Sequence, residues 1–86
     1  MPTYVYRAGI LEELLKHGVR PAATTRPELV HEFVSDLYRH RLRRLRDRLL
    51  AREFPKHEYY GRVVALRQEY RIISMRPSEW VDSDRT

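Results

Sequence analysis

Apolar residues recur at steps of three and four through the middle of the chain, and no glycine or proline interrupts residues 28–54. This spacing predicts one long amphipathic helix over residues 26–51. Thr25 is expected to cap it, Pro27 suits its first turn, and Glu28 would complete a capping box. The apolar residues of its two halves point about a quarter turn apart, so the halves are expected to face different neighbours.

A first, short helix is predicted over residues 8–17, because four apolar side chains recur there at helical spacing: Ile10, Leu11, Leu14 and Leu15. Gly18 is expected to end this helix in the left-handed conformation, with Val19 as the apolar residue that follows such a stop. For residues 1–7, an extended arm, a short strand and an extra helical turn all remain open.

A third helix is predicted over residues 55–71. Pro55 ends the apolar pattern of the long helix and suits the first turn of a new one. Gly61 inside it marks either a close approach of two helices or a plain exposed position. Beyond it, residues 77–80 are expected to form one turn that lays Trp80 on the bundle, and residues 82–86 are expected to fray.

Together these elements predict a single all-α domain over residues 1–86. A single domain is expected because 86 residues leave room for only one. Its predicted architecture is a three-helix bundle in which the long central helix forms a helical hairpin with the third helix. The expected core consists of Leu11, Leu14, Leu15, Val30, Phe33, Val34, Leu37, Leu42, Leu45, Leu49, Val63, Leu66, Tyr70 and Trp80.

The long helix is expected to extend beyond its own bundle. About 26 helical residues span roughly 39 Å, whereas a compact domain of this size is about 30 Å across. An overhang with an apolar stripe would need a second copy or another protein to cover it.

Composition excludes several classes of function. Charged residues make up 34% of the chain and hydrophobic residues 42%, which is typical of a folded globule. There is no cysteine, which excludes disulfides and thiolate chemistry. A glycine-rich phosphate loop and a Gly-x-Ser-x-Gly elbow are also absent. We therefore expect no enzymatic activity, no cofactor and no bound metal.

The chain also lacks membrane signals. Its first residues have no apolar run of about 7 to 15 residues as in a secretory leader, and no segment approaches about 18 apolar residues. A cytoplasmic location is the default expectation, and a membrane partner is disfavoured.

Positive charge is concentrated in the second half of the long helix. The chain carries a net charge of +5 with a pI near 10.0, which favours phosphate or acidic surfaces as partners. On a helical wheel, two rows of arginine border a leucine stripe formed by Leu42, Leu45 and Leu49. The first row is Arg39, Arg43 and Arg46; the second is Arg41, Arg44 and Arg48.

Two hypotheses follow. The first is a non-catalytic interaction module that self-associates or docks on a protein through Leu42, Leu45, Leu49, Arg39, Arg43 and Arg46. The alternative is a nucleic-acid-binding accessory protein whose arginines contact phosphates: Arg41, Arg43, Arg44, Arg48 and Arg52. A solvated helix face, favoured by the helix dipole, is the plain alternative to both. No small-molecule substrate is indicated.

Overall fold

Three α-helices follow one another in the computed structural model, which describes residues 2–82: α1 (Ala8–Lys16), α2 (Pro27–Leu50) and α3 (Tyr59–Glu69). Short 3₁₀ turns occur at Lys56–Glu58, Arg71–Ser74 and Pro77–Glu79. The predicted all-α fold, with a long central helix and a hairpin partner, is confirmed. The fraying predicted for residues 82–86 falls outside the described residues beyond Asp82.

The start of α2 differs from the predicted cap. Arg26 is the N-cap residue, and its side chain makes no capping hydrogen bond. Thr25 instead accepts the Ala22 backbone N–H through Oγ1 at 3.0 Å, because it belongs to the preceding turn. Glu28 lies 3.8 Å from the Arg26 guanidinium rather than completing a capping box with Thr25. The carboxylate still lies in the first turn, where the helix dipole favours it.

Two helices end with the same hydrogen-bonding pattern. Gly18 adopts a φ of 75° after α1, and the Val19 N–H reaches back to the Leu14 carbonyl, as predicted. After α2 the corresponding left-handed residue is Arg52, with a φ of 60°. A side chain costs about 1 kcal/mol in this conformation, where glycine would cost nothing.

The third helix is shorter than predicted. The 3₁₀ turn Lys56–Glu58 leads into α3, and the α-helix ends at Glu69 instead of continuing to residue 71. The Tyr70 N–H divides its hydrogen bond between two carbonyls, and the chain then tightens into the Arg71–Ser74 turn. This turn contains the buried residue Ile72. Gly61 has open space around it, so it marks an exposed position and no close helix approach.

The first residues form an extended arm, which answers the question left open by the sequence. Tyr6 forms an isolated antiparallel bridge with Val81, and the Asp82 N–H donates to the Val5 carbonyl at 2.9 Å. The buried Tyr6 hydroxyl donates to the Thr25 carbonyl at 2.6 Å. Burial raises the pKa of Tyr6 above its ordinary value, with a smaller contribution from the charge of Glu28. The arm therefore connects both ends of the described chain to the start of α2.

The core is one cluster, and part of its membership differs from the prediction. The buried members are Tyr6, Ile10, Leu14, Val30, Val34, Leu45, Phe54, Leu66, Tyr70, Ile72 and Trp80. Three predicted core residues are exposed instead: Leu11 at 41%, Leu15 at 52% and Phe33 at 54%. Helix α1 is only nine residues long and buries one narrow stripe, so the leucines beside that stripe remain outside.

The two halves of α2 face different neighbours, as predicted. Its first half packs against the C-terminal 3₁₀ turns, and the cluster there includes residues of α1. Trp80 is fully buried, and its indole N–H donates to the Ile72 carbonyl at 3.1 Å. Its ring lies 5.1 Å from that of His31 on α2, which confirms the predicted packing of Trp80 on the bundle.

The molecule is a rod with principal extents of 53 × 18 × 17 Å. Its radius of gyration is 15.7 Å, whereas a compact domain of this length would have about 12 Å. The second half of α2 does extend beyond the bundle, but α3 packs along it. The apolar overhang expected from helix length is therefore largely covered within the chain itself.

Candidate functional site

Charge is segregated along the rod. The hairpin, defined as residues 39–67, carries ten Lys or Arg and three Asp or Glu, a net charge of +7. The remaining described residues, 2–38 and 68–82, carry six basic and eight acidic groups, a net charge of −2. Charge of one sign concentrated at one end produces a field that attracts anions to that end.

An open groove of about 450 Å³ runs between α2 and α3 on one side of the hairpin. Its floor contains Leu45 and Leu66, which are 8% and 5% exposed. We call it the arginine groove, after the four arginines that line it: Arg41, Arg44, Arg48 and Arg62. Three of the five residues predicted to bind phosphate are therefore brought together here.

Most of these guanidinium groups are held in place. Arg62 lies 4.2 Å from the ring centre of Phe54, and Arg48 lies 5.6 Å from the same ring. Carboxylates hold three of the four: Arg41 with Glu69 at 3.6 Å, Arg48 with Glu53 at 2.9 Å and Arg62 with Glu58 at 3.1 Å. Within residues 2–82, Arg44 has no carboxylate within 4 Å.

The opposite side of α2 forms a second surface, the outer face, which points away from the core. Its members are all exposed and follow at helical steps: Leu29, Glu32, Phe33, Asp36, Arg39, Arg43, Arg46 and Leu50. Arg39 pairs with Asp36. In the described part of the chain, Arg43 and Arg46 have no ion-pair partner. The three arginines predicted to contact a protein partner thus share one exposed surface.

The leucine stripe predicted to contact that partner is not a free surface. Leu45 is buried, and Leu42 and Leu49 are half-buried against the same core cluster. Helix α3 covers the stripe, because the hairpin brings its apolar side onto it. Arg52, predicted to bind phosphate, lies in the turn after α2 and outside the arginine groove.

Four exposed apolar side chains lie on α1 and the first half of α2: Leu11, Leu15, Leu29 and Phe33. Glu13 of α1 and His31 of α2 both contact the Arg71–Ser74 turn. In each helix the exposed apolar residues lie two positions from that contact, on the opposite flank of the helix. Apolar surface beyond the requirements of the fold therefore lies on these two helix segments, outside the hairpin.

No family model, curated protein or solved structure matches the chain. What its surfaces bind must therefore follow from their own geometry and charge. Among residues 2–82, no helix has the length and apolar character needed to cross a bilayer. The same residues contain no group of three His, Cys, Asp or Glu side chains placed to hold a metal ion.

Two histidines, His31 and His17, make contacts that hold the C-terminal segment in place. His31 Nε2 lies 2.9 Å from the Ile73 carbonyl and 3.0 Å from that of Met75, so it donates to both and ties α2 to the C-terminal turns. His17 stacks on Tyr70 with ring centres 4.1 Å apart, and its Nε2 lies 2.9 Å from the Glu69 carbonyl. Both contacts are long-range in sequence and stabilise the packing of the C-terminal segment.

Glu13 gives the fold a predictable response to acid. A hydrogen bond from Lys16 at 3.1 Å, with the Arg71 guanidinium at 3.3 Å, holds the pKa of Glu13 below its ordinary value against the opposing effect of burial. Because the pKa is lower in the folded state, the stabilisation is present above the unfolded value of about 4.3 and is lost as pH falls through the folded value. We expect the Tm of the native chain to fall below about pH 5 more steeply than that of Glu13→Gln.

Thermal unfolding followed by circular dichroism between about pH 6 and pH 3 measures this difference. Glu12→Gln is the matched control, because Glu12 is an exposed neighbour on the same helix with no described ion pair. Parallel pH profiles for the native chain and Glu13→Gln would refute the assignment.

Arg62 lines the groove but was not among the arginines predicted to bind phosphate. It lies on α3, distant in sequence from the arginine cluster, and only the hairpin places it opposite Arg48. Its spacing of four residues from Glu58 was a signal of an exposed helix pair rather than of a site. The acidic partners Glu53 and Glu69 were also unassigned, because both reach the arginines through the hairpin turn or the helix interface.

Proposed function

We propose that the chain is a non-catalytic helical interaction module that associates with a second copy of itself in antiparallel fashion through the outer face of α2. The observation that supports this is the order of side chains along that face. It begins with apolar Leu29, continues through acidic Glu32 and Asp36, then through three arginines, and ends with apolar Leu50. A cytoplasmic location belongs to the same proposal.

In an antiparallel pair, this order places complementary side chains of the two copies opposite one another. The midpoint between Leu29 and Leu50 is also the midpoint between Asp36 and Arg43, at the peptide joining Arg39 and His40. A two-fold axis at that point places Leu29 opposite Leu50 of the second copy and Asp36 opposite its Arg43. Such an interface is isologous and closes as a dimer.

The charges also favour the antiparallel arrangement over a parallel one. A parallel pair would place the acidic ends together and the basic hairpins together, and like charges in contact disfavour association. The antiparallel pair places each hairpin, with its net charge of +7, beside the acidic end of the other copy. Electrostatics therefore sets the orientation.

Apolar contacts supply most of the binding energy. Exposed ion pairs contribute at most about 1 kcal/mol each, whereas Leu29, Phe33 and Leu50 are 55%, 54% and 69% exposed and available for burial. One helix face about 36 Å long buries less than the roughly 800 Å² per partner of a standard interface. We therefore expect a reversible dimer whose population rises with concentration.

The test is a charge exchange followed by light scattering after size-exclusion chromatography over a concentration series. Asp36→Arg alone and Arg43→Asp alone each place like charges opposite one another, so each variant should be monomeric where the native chain dimerises. An equimolar mixture of the two variants restores both contacts and should recover the dimer. Unchanged Tm values for the single variants show that the fold is intact.

The mixture decides between specific pairing and general charge effects. Its two components carry the opposite changes, so the average net charge of the mixture equals that of the native chain. Glu28→Arg with Arg20→Asp is the matched control, because neither residue belongs to the outer face and the mixture should behave as the native chain does. A native chain that stays monomeric at every concentration, or single variants that dimerise normally, would overturn the proposal.

A further inference from the structure

We infer that the arginine groove binds the sugar-phosphate backbone of a nucleic acid, independently of base sequence. The groove lies on the side of α2 between the helix and α3, whereas the outer face points away from α3. Binding there goes beyond self-association and uses different residues.

The first support is the field of the hairpin. Apart from Glu69, the residues that line the groove belong to the hairpin, residues 39–67, where nine of the ten basic residues are arginine. Arginine presents a planar fork of N–H donors that matches a phosphate with two parallel hydrogen bonds. A polyanion therefore meets both long-range attraction and suitable donors at this end of the rod.

The second support is the positioning of the donors. Arg62 and Arg48 lie over the ring of Phe54, and Arg41 lies 6.0 Å from the ring centre of Tyr70. A guanidinium stacked over a ring can still donate hydrogen bonds from its edge. These side chains are already partly ordered, so less conformational entropy is lost when a ligand binds.

The carboxylates in the groove limit affinity but do not close the site. The side chains of the Arg41, Arg48 and Arg62 pairs are between 40% and 54% exposed, and exposed pairs are weak. Each guanidinium has five N–H donors and uses only some of them on its carboxylate. Arg44 has no such partner among the described residues, so it is the first cation available to an incoming anion.

The spacing of the α2 arginines fits a phosphate strand. Arg41, Arg44 and Arg48 are three and four residues apart, so they span about 10.5 Å along the helix axis. One strand of a duplex carries a charge about every 3.4 Å of its axis. A duplex whose axis runs along the groove therefore presents about three phosphates of one strand over the length of these three arginines.

The groove floor favours a nucleic-acid backbone over an acidic peptide. Peptides that bind helical grooves anchor themselves by inserting apolar side chains into open apolar pockets. Leu45 and Leu66 are only 8% and 5% exposed, so these two side chains offer little surface for such an anchor. A phosphate backbone needs only the cationic walls.

The experiment measures fluorescence anisotropy of a labelled duplex of about 20 base pairs and arbitrary sequence between 50 and 200 mM salt. Three neutralised phosphates predict a salt slope near −2.7, which is roughly a 40-fold loss of affinity over that range. Arg44→Gln removes one contact, so its slope should be near −1.8 and its loss roughly 12-fold. The triple variant Arg41→Gln, Arg44→Gln, Arg48→Gln should lose measurable binding at 200 mM salt.

The matched control removes the same charge from the outer face, with Arg39→Gln, Arg43→Gln and Arg46→Gln. It should retain a slope near −2.7, although its self-association should fall. Equal loss of binding in both triple variants would overturn the groove assignment, because net charge alone would then explain binding. Labelled polyglutamate bound as tightly as the duplex, or no duplex binding at 50 mM salt, would also overturn it. Light scattering on the same variants reports self-association separately.

Discussion

Trp80→Ala is expected to lower the free energy of unfolding by about 3 to 5 kcal/mol, the range for truncating a buried aromatic side chain. Trp80 is fully buried, its N–H donates to the Ile72 carbonyl, and its ring packs near His31. The variant would leave a cavity and also a carbonyl without its partner. A domain of this size has roughly twice that stability in total, so the Tm should fall by about 15 to 30 °C.

Far-UV circular dichroism measures this effect, since the chain has no other tryptophan and the variant lacks its fluorescence. Trp80→Phe is the control: it keeps an aromatic ring but removes the indole donor, and it should cost less than Trp80→Ala. A Trp80→Ala chain within about 1 kcal/mol of the native stability would show that the C-terminal turns do not close the core.

Leu45→Glu and Leu50→Glu are expected to differ sharply although the two leucines are close together on α2. Leu45 is 8% exposed in the cluster beneath α3, so the first variant loses apolar burial and disturbs the packing of α3, at a cost of roughly 4 kcal/mol. Leu50 is 69% exposed, so the second variant should change the stability by less than about 0.5 kcal/mol.

Urea unfolding of both variants measures the difference in the free energy of unfolding. Light scattering should show that Leu50→Glu, although folded, no longer forms the dimer. Equal costs for the two variants would contradict the placement of α3 over Leu45.

The helices could be predicted because their signals are local. The spacing of apolar residues, Pro27 at one end and Pro55 at the other define α2, and Gly18 ends α1 through its own backbone conformation. The C-terminal segment could not be predicted in the same way. Ile72 is buried because a 3₁₀ turn redirects the chain. The carbonyls of that turn accept hydrogen bonds from His31, which is distant in sequence, and from Trp80, which follows eight residues after Ile72.

The sequence likewise predicts only part of which residues form the core. Periodicity identifies which side of α1 is apolar, but Leu11 and Leu15 share that side with Ile10 and Leu14. Only the direction of approach of α2 and the C-terminal turns decides which pair is buried. Phe33 is exposed for the same reason, because nothing in the described chain covers that flank of α2.

The candidate surfaces were partly visible in the sequence. Two rows of arginine bordering a leucine stripe follow from helical geometry, and the structure keeps the rows apart as the outer face and the arginine groove. The sequence did not show that α3 covers the leucines or adds Arg62, because both depend on how the hairpin closes. Ion pairs from Glu53 and Glu69 likewise required the folded hairpin.

Antiparallel pairing of α2 is tested most directly by thiol cross-linking. The chain has no cysteine, so Leu29→Cys and Leu50→Cys each introduce a single reactive group at an exposed position. The linker should span about 8 to 10 Å, the separation of packed helix axes. A mixture of the two variants should give a cross-linked dimer that contains one copy of each, while neither variant alone should cross-link efficiently. Efficient cross-linking of Leu29→Cys to itself, or none in the mixture at a concentration where the native chain is dimeric, would contradict the antiparallel pair.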